Sequence, residues 1–353
     1  MKYFWDIDTI KSKIDQANNS DNKTQKDNAK MYGRMLADLS VPKKVRERKV
    51  SKDHFFGKLD IFDITYFDNS IFKLIVYMNS ELNDIDCSFD LNYHEKKNGN
   101  VIVKMCKDFY KKNDKESLTY FKKIVSNEGR IYFNENALAP FMGRSYILSS
   151  SEYYILVNGR NYLEDALALI HETKHIEQTL KNYNQGITHY SELSSILYEL
   201  YMIDYLRQTD DNKSNVALLQ MQNLDKYIKK INTIAESIDL IKKLKEDKTF
   251  YENIYTNYDV YYEEPLYYNT FNILNTGIPE SDIGCIISFI VALDIYLKSN
   301  MNNINNVLSC YIFGIYKMKP SIIDNILEYL NSMYRPYLPN DKDIKKKKMQ
   351  KLY

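Results

Sequence analysis

The sequence predicts a mainly α-helical protein with a small β-sheet. Three long stretches, residues 163–180, 191–205 and 213–250, carry apolar residues at helical spacing. Segments that combine β-branched and aromatic residues are short and few, which limits the size of any sheet. The chain has no internal repeat and no glycine-rich phosphate loop, which argues against repeat architectures and phosphate-loop proteins.

The composition is typical of a globular protein. Of the 353 residues, 44% are hydrophobic and 27% are charged, which argues against disorder of the whole chain. The net charge of +1 gives no reason to expect a nucleic-acid partner, and the basic cluster at 43–49 is interpreted as a solvated helix face or a linker. The four cysteines form no CxxC pair, so neither a disulfide framework nor a thiolate metal site is expected.

No targeting or membrane segment is recognised. Acidic residues interrupt the apolar residues near the N-terminus, which does not fit a secretion signal. The longest apolar run, about residues 283–293, is shorter than the ~20 residues that cross a bilayer. We therefore expect a cytoplasmic protein with no membrane partner.

The part of the chain before residue 160 is predicted to contain short elements. Residues 71–78 and 101–105 are either strands or short buried helix segments, because periodicity alone does not separate the two. A helix is predicted at 108–125, and a short apolar segment follows at 131–133. Residues 152–159 are predicted to form a strand, because their aromatic and β-branched core ends in an Asn-Gly turn signal.

Helices are predicted to dominate the rest of the chain. Asn161 can cap the long helix that starts at Leu163, and Glu164 completes a capping-box arrangement. A loop around Gly186 separates this helix from the next one at 191–205. Further helices are predicted at residues 213–250, 283–297 and 321–330.

The long helix carries an HExxH motif. His171 and His175 are four residues apart, so both imidazoles lie on one helix face and can share one zinc ion at ~2.0–2.1 Å. Glu172 lies about 100° further round the helix and can act on the metal's water without binding the metal. Zinc lowers the pKa of its water toward ~7, and the carboxylate then takes the proton and passes it to the leaving amine.

The surroundings of this motif favour a metal site over two unrelated histidines. The apolar residues 166–170 precede the motif, which predicts that the helix is largely buried. Burying two histidines and a glutamate without a metal would be costly. The sequence therefore predicts a zinc-dependent hydrolase with Glu172 as its catalytic base and one zinc ion per chain. Cobalt or manganese can also occupy such a site in vitro.

Glu192 is the predicted third metal ligand. Sixteen residues separate it from His175, enough for one helix to end and a second to return antiparallel. Glu199 lies two turns further on the same face and is expected to orient a metal-bound imidazole. His189 is a rival ligand or a donor to the reacting carbonyl, and it is equally well explained as a helix cap or a surface residue.

Four segments, taken in order, resemble the oligoendopeptidase F and thimet oligopeptidase family of zinc peptidases. Gly143-Arg-Ser-Tyr146 is similar to the family's Gly-Ala-Tyr segment, and 152–159 to its cleft-edge strand. Residues 163–175 resemble the helix that ends in HExxH, and 191–199 the helix that supplies the third ligand. The resemblance is strongest over residues 108–205 and weaker over 283–330.

The resemblance implies a clam-like zincin peptidase fold with a deep substrate channel and zinc at its floor. It also implies cleavage of short unstructured peptides by a catalytic domain at 108–353, behind an N-terminal lobe of helices and short strands at 1–107. The resemblance also suggests that the strand 152–159 pairs with the substrate backbone. The substrate-binding residues implied in this way are Tyr153, Tyr154, Ile155, Leu156, Val157, Asn158 and Gly159, to which we add His189.

The chain departs from the family pattern in three ways. It is shorter, mostly before the metal helix, which suggests a more open channel. Lys174 replaces a small residue, usually glycine, and is expected either to narrow the site or to pair with a substrate carboxylate. Asp282 and Cys285 occupy positions where the family has tyrosines that stabilise the oxyanion, and losing one such donor costs ~10²–10³ in rate. Tyrosines that could substitute lie upstream, at positions 255, 258, 261, 262, 267 and 268.

Three functions remain open from the sequence. The leading interpretation is a zinc endopeptidase that acts on oligopeptides. A peptide-binding or regulatory protein with little turnover is an alternative that the missing tyrosines favour and the intact Glu172 disfavours. An exopeptidase, in which Lys174 captures a terminal carboxylate, is the third. The oligomeric state is not predicted.

Overall fold

The computed structural model describes residues 6–39, 51–82, 93–126, 128–134, 142–181, 192–258, 265–299 and 320–334. Most of these residues are helical, and three short strands form one sheet. The predicted mainly α-helical fold with a small β-sheet is therefore confirmed. The basic cluster at 43–49, the loop around Gly186, His189 and two of the upstream tyrosines, Tyr261 and Tyr262, lie outside the described residues.

The chain divides into two compact units. Unit 1 comprises Met1–Glu47, Leu91–Gln220 and Ile287–Lys317, and unit 2 comprises Arg48–Asp90, Met221–Ile286 and Met318–Tyr353. The division between residues 107 and 108 that the sequence suggests stays a prediction. No helix among the described residues is long and apolar enough to cross a membrane. The cytoplasmic location likewise stays a prediction.

Unit 1 begins with two helices that pack together, α1 (Ile7–Asn18) and α2 (Lys23–Leu39). Helices α5 (Gly99–Asn113) and α6 (Lys115–Val125) replace the single helix predicted at 108–125. The break lies at Asp114, whose backbone is extended and whose carboxylate accepts the Ser117 N–H at 3.0 Å. This residue therefore ends one helix and caps the next. Residues 101–105, which could have been a strand, lie inside α5.

The sheet has three strands, β1 (Ile131–Phe133), β2 (Gly143–Ile147) and β3 (Tyr153–Val157), in the order β1-β3-β2. β1 pairs parallel with β3, and β2 pairs antiparallel with it. β3 is thus the central strand, and all five of its side chains are buried. Helices cover both faces of the sheet. α1 and α2 pack on Tyr146, Tyr154 and Leu156, and the helix Tyr162–Leu180 contacts β2 and β3.

Helices α7 (Tyr162–Leu180) and α8 (Leu193–Thr209) pack against each other and hold the predicted site. The Asn161 side chain accepts hydrogen bonds from the backbone N–H groups of Leu163 and Glu164, so the predicted cap is confirmed. The Glu164 carboxylate accepts the backbone N–H of Arg160 at 2.6 Å, one residue before the position that a capping box uses. Both helices are buried over most of their length, which holds their side chains in place.

Unit 2 contains α3 (Lys52–Ile61), a 3₁₀ turn at Ile64–Asp68, α4 (Ser70–Leu82), α10 (Lys248–Thr256), α11 (Pro265–Thr276) and α13 (Pro320–Tyr334). Helices α9 (Lys213–Glu246) and α12 (Glu280–Lys298) have residues in both units. Residues 71–78 lie inside α4, so the helical alternative is correct there as well. Asp247 separates α9 from α10 by accepting the Phe250 N–H, which divides the helix predicted at 213–250.

Candidate metal centre

Three predicted ligands meet between α7 and α8. His171 Nε2 and His175 Nε2 lie 3.0 Å apart, on successive turns of α7. Glu192 Oε2 lies 3.2 Å from the first nitrogen and 3.3 Å from the second. These three side chains could bind a metal ion, and no other group of three such side chains converges elsewhere in the described ranges.

The triangle formed by these atoms fits the size of a zinc ion. Ligand atoms placed ~2.0–2.1 Å from a tetrahedral zinc lie roughly 3.3 Å from one another. The three separations of 3.0, 3.2 and 3.3 Å match this value before any adjustment of the side chains. Three protein ligands also leave the fourth tetrahedral position open, as a catalytic site requires.

Glu199 fixes the orientation of the His171 ring. Its Oε1 lies 2.8 Å from His171 Nδ1, and its side chain is 2% exposed. An ionised carboxylate can only accept a hydrogen bond, so Nδ1 carries the proton and donates it. In the neutral imidazole, Nε2 then keeps its lone pair and faces the other two ligand atoms.

The Glu192 carboxylate does not cap α8 and instead faces the two histidines. The residue occupies the N-cap position of α8, yet its side chain makes no capping hydrogen bond. Burial alone would raise the pKa of Glu192, but His175 and His171 outweigh burial and hold that pKa well below its usual range. The group is therefore an anion that faces two imidazoles.

The charges around His171 are also strongly coupled. Burial favours its neutral form, but the carboxylates of Glu199 and Glu192 outweigh burial and raise the pKa of His171 to about 10. The two carboxylates thus favour positive charge on or beside the His171 ring. A divalent cation satisfies that preference.

Glu172 lies beside strand β2. A Cβ atom added at Gly143 would be 3.0 Å from Glu172 Cγ and 3.2 Å from its Oε1. The carboxylate therefore approaches the edge strand so closely that only glycine fits opposite it without a shift. Glu172 is itself buried. Glu172, the motif residue predicted as the base, therefore projects from α7 toward β2.

The structure does not place Lys174 in the site. Its side chain is buried, and its Nζ donates to Glu177 Oε2 at 2.7 Å and to Ser117 Oγ at 3.1 Å. The nitrogen is also 3.8 Å from the ring centroid of Tyr198. The expectation that Lys174 narrows the site or pairs with a substrate carboxylate is therefore corrected. Its ammonium group forms an ion pair with Glu177 inside unit 1.

The strand predicted to bind substrate is the middle of the sheet. Residues 155–157 pair with β1 on one side and with β2 on the other, so their backbone is not available for strand addition. Residues 153–159 are all buried. At Gly159, the N–H donates to Asp165 Oδ1 and the carbonyl accepts from Lys96. The pairing role assigned to 152–159 is therefore corrected for residues 155–157 and Gly159, and His189 lies outside the described residues.

The sequence interpretation missed that β2 is the edge strand near the motif. β2 begins at Gly143, the glycine that approaches Glu172, and forms one edge of the three-stranded sheet. The signal was present in Gly143-Arg-Ser-Tyr146, since a glycine before alternating residues marks a close approach of backbone. Strand order, however, does not follow from any of these residues alone.

The residues considered for oxyanion stabilisation belong to unit 2. Tyr258 and Tyr267 are buried and pack against Phe55. Asp282 accepts from Lys230 Nζ at 2.7 Å. The metal-ligand candidates belong to unit 1, so the choice among the tyrosines stays open.

Comparison with known proteins does not assign a family. No protein-family model matches the chain, and no curated protein matches it in sequence. A solved structure titled "Crystal structure of putative peptidase from Chlamydophila abortus" is similar, with a TM-score of 0.47 and 14% sequence identity. The match covers 93% of this chain and 63% of the other, so the chain spans less than two thirds of that neighbour. A likeness at this level carries no argument about activity.

Proposed function

We propose that this protein is a zinc-dependent endopeptidase that hydrolyses short unstructured oligopeptides. The observation that carries the proposal is the ligand triangle of His171, His175 and Glu192, whose sides measure 3.0–3.3 Å. Glu172 lies on α7, the helix that carries the two histidines. Two imidazoles, one carboxylate and an adjacent glutamate are what metal-assisted peptide hydrolysis needs from a protein.

In this proposal, His171, His175 and Glu192 hold one zinc ion, and Glu199 keeps the His171 ring in position. A zinc ion bound there would supply Lewis-acid chemistry to water and to a peptide carbonyl. Glu172 takes a proton from the attacking water on its carboxylate and delivers it to the leaving amine. The buried position of Glu172 limits its contact with bulk water, which suits a group that must hold a proton between these steps.

We further propose that strand β2 binds the substrate backbone. β2 is an edge strand, and within the described residues it pairs only with β3. An extended peptide could add to its outer edge and would pass Gly143, next to the proposed base. This replaces the role that the sequence suggested for β3.

The finer features of the proposal come from the family resemblance. These features are the clam-like zincin fold, the deep channel and the catalytic domain at 108–353. A narrow channel would exclude folded proteins, which is why oligopeptides are the expected substrates. The mainly helical architecture is compatible with them. The exopeptidase alternative loses its main argument, because Lys174 is buried in an ion pair and cannot capture a terminal carboxylate.

The test is hydrolysis of a mixed library of short peptides, with products identified by mass spectrometry. Wild type and Glu172→Gln are compared after zinc content has been measured in both. We expect cleavage by the wild type that a chelator abolishes, and a variant that binds zinc equally but does not cleave. A wild type that carries one zinc per chain and cleaves nothing would contradict the peptidase and favour the peptide-binding alternative.

A further inference from the structure

A buried ion network lies behind the metal face of α7. Lys174 and Glu177 are each 3% exposed, and their charged groups are 2.7 Å apart. Ser117 Oγ bridges them, because it accepts from Lys174 Nζ at 3.1 Å and donates to Glu177 Oε1 at 2.9 Å. Lys181 Nζ lies 2.7 Å from the same Glu177 oxygen. The hydrogen bonds among Lys174, Glu177 and Ser117 join groups removed from bulk water, where such bonds are strong and directional.

The network connects three helices of unit 1. Ser117 brings in α6, and the Tyr198 ring beneath Lys174 Nζ brings in α8. The Tyr198 hydroxyl donates to Asp114, which caps α6 by accepting the Ser117 N–H. A slide or rotation of α7 against either neighbour would break these contacts together.

Two of its members are sequence neighbours of the proposed metal-site residues. Lys174 precedes His175 on α7, and Tyr198 precedes Glu199 on α8. Lys174 Nζ lies 3.8 Å from the centroid of the Tyr198 ring. The same two helix segments are therefore joined twice, once through the His171–Glu199 hydrogen bond and once through this contact.

Stability alone does not explain a buried lysine at this position. Desolvating an ion pair costs about as much as the pair returns, and apolar residues of similar volume often replace such pairs without loss. What an ion pair adds over apolar packing is a defined geometry, since its hydrogen bonds hold at one separation and direction.

We propose that Lys174, acting with Glu177 and Ser117, is a positioning residue that sets the placement of α7 against α6 and α8 and thereby the geometry of the metal ligands. This inference rests on the proposed metal site. Lys174 touches neither metal nor substrate; it acts through the backbone of α7 on His171 and His175.

The test is Co²⁺ binding to the purified full chain, followed by visible absorption, because the cobalt bands report ligand geometry directly. In Lys174→Met we expect altered bands and an affinity weakened about tenfold, as for other groups that orient metal ligands. The kcat for a cleaved peptide should fall while KM stays nearly constant, because the loss affects the transition state.

Lys96→Met is the matched control. Lys96 pairs at 3.2 Å with the buried Asp165, also on α7, so this change likewise removes a lysine from a buried carboxylate of that helix. We expect lower thermal stability but wild-type cobalt bands and affinity. If Lys174→Met does not fold, Ser117→Ala removes only the bridging hydroxyl and should shift the bands in the same direction.

Cobalt bands and affinity that are unchanged in Lys174→Met, or in Ser117→Ala where the first does not fold, would overturn this inference while leaving the proposed function intact. A wild type that binds no cobalt or zinc would contradict the proposed function itself. The two failures are thus distinguishable from the wild-type titration alone.

Discussion

His171 Nδ1 and Glu199 Oε1 lie 2.8 Å apart, and the carboxylate is almost completely buried. The two residues are 28 positions apart and belong to different helices. Their hydrogen bond fixes which imidazole nitrogen is protonated, so the opposite nitrogen is directed at the other two ligand atoms. The metal centre therefore depends on the packing of α7 against α8.

Glu199→Gln should weaken zinc binding by about 10–100-fold. The amide preserves the size of the side chain but removes its negative charge. In the wild type, that charge holds the His171 imidazole in position and increases the basicity of its Nε2. Competition with a zinc chelator measures the change. Glu246→Gln, an exposed substitution at the end of α9, should leave the affinity unaltered. Equal affinities for Glu199→Gln and wild type would show that the hydrogen bond does not tune the metal.

Gly143→Ala should reduce kcat by about tenfold or more while zinc content stays at the wild-type level, because small displacements of catalytic groups are costly. The new methyl group would lie 3.0 Å from Glu172 Cγ, so the carboxylate or β2 must shift. Gly33→Ala is the control, since a Cβ there meets nothing within 4 Å. Full activity in Gly143→Ala would mean that the position of Glu172 relative to β2 does not matter.

Peptides methylated on a backbone nitrogen should bind less well if β2 pairs with substrate. Each lost main-chain hydrogen bond is worth ~0.5–1.5 kcal/mol, so KM should rise up to about tenfold at paired positions. Alternate residues point their N–H groups away from the strand edge, so methylation there should have little effect. A methyl scan along one cleaved peptide measures this. An effect with no alternation would argue against strand addition at β2.

Acidic pH should stabilise the fold through Asp165. Burial raises the pKa of Asp165 to about 6, and the opposing effect of Lys96 does not outweigh it. Between the ordinary value of 3.8 and about 6, the folded state binds more protons than the unfolded state. The free energy of unfolding contributed by this group therefore falls as the pH rises through that window, by roughly 2–3 kcal/mol.

Thermal unfolding of wild type and Asp165→Asn between about pH 4 and pH 7 tests this sign. The amide does not titrate, so the Tm of the wild type relative to the variant should decrease as the pH rises. A relative Tm that increases instead would indicate that the Lys96 ion pair dominates and that the pKa is lowered.

Features that depend on neighbouring residues were predictable from the sequence. The four-residue spacing of His171 and His175 places both rings on one face of any helix, and an asparagine before a helical pattern caps it wherever the helix lies. The mainly helical fold, the strand at β3 and the Asn161 cap follow from such local rules. The break at Asp114 does not follow from them, because the residues on either side suit one continuous helix. The two helices are separated only because Asp114 ends α5 and caps the start of α6.

Other features were decided by packing between distant parts of the chain. Lys174 turns to Ser117, 57 residues earlier, because the buried Glu177 and Tyr198 offer it partners there. β3 is the central strand because β1 and β2 occupy its two sides, which alternation of residue types within one strand cannot reveal. The sequence by itself thus determined the chemistry of the candidate ligands and the helix that carries two of them. The tertiary structure decided which charges face that site and which strand edge lies beside it, because side-chain direction and strand order depend on contacts between distant residues.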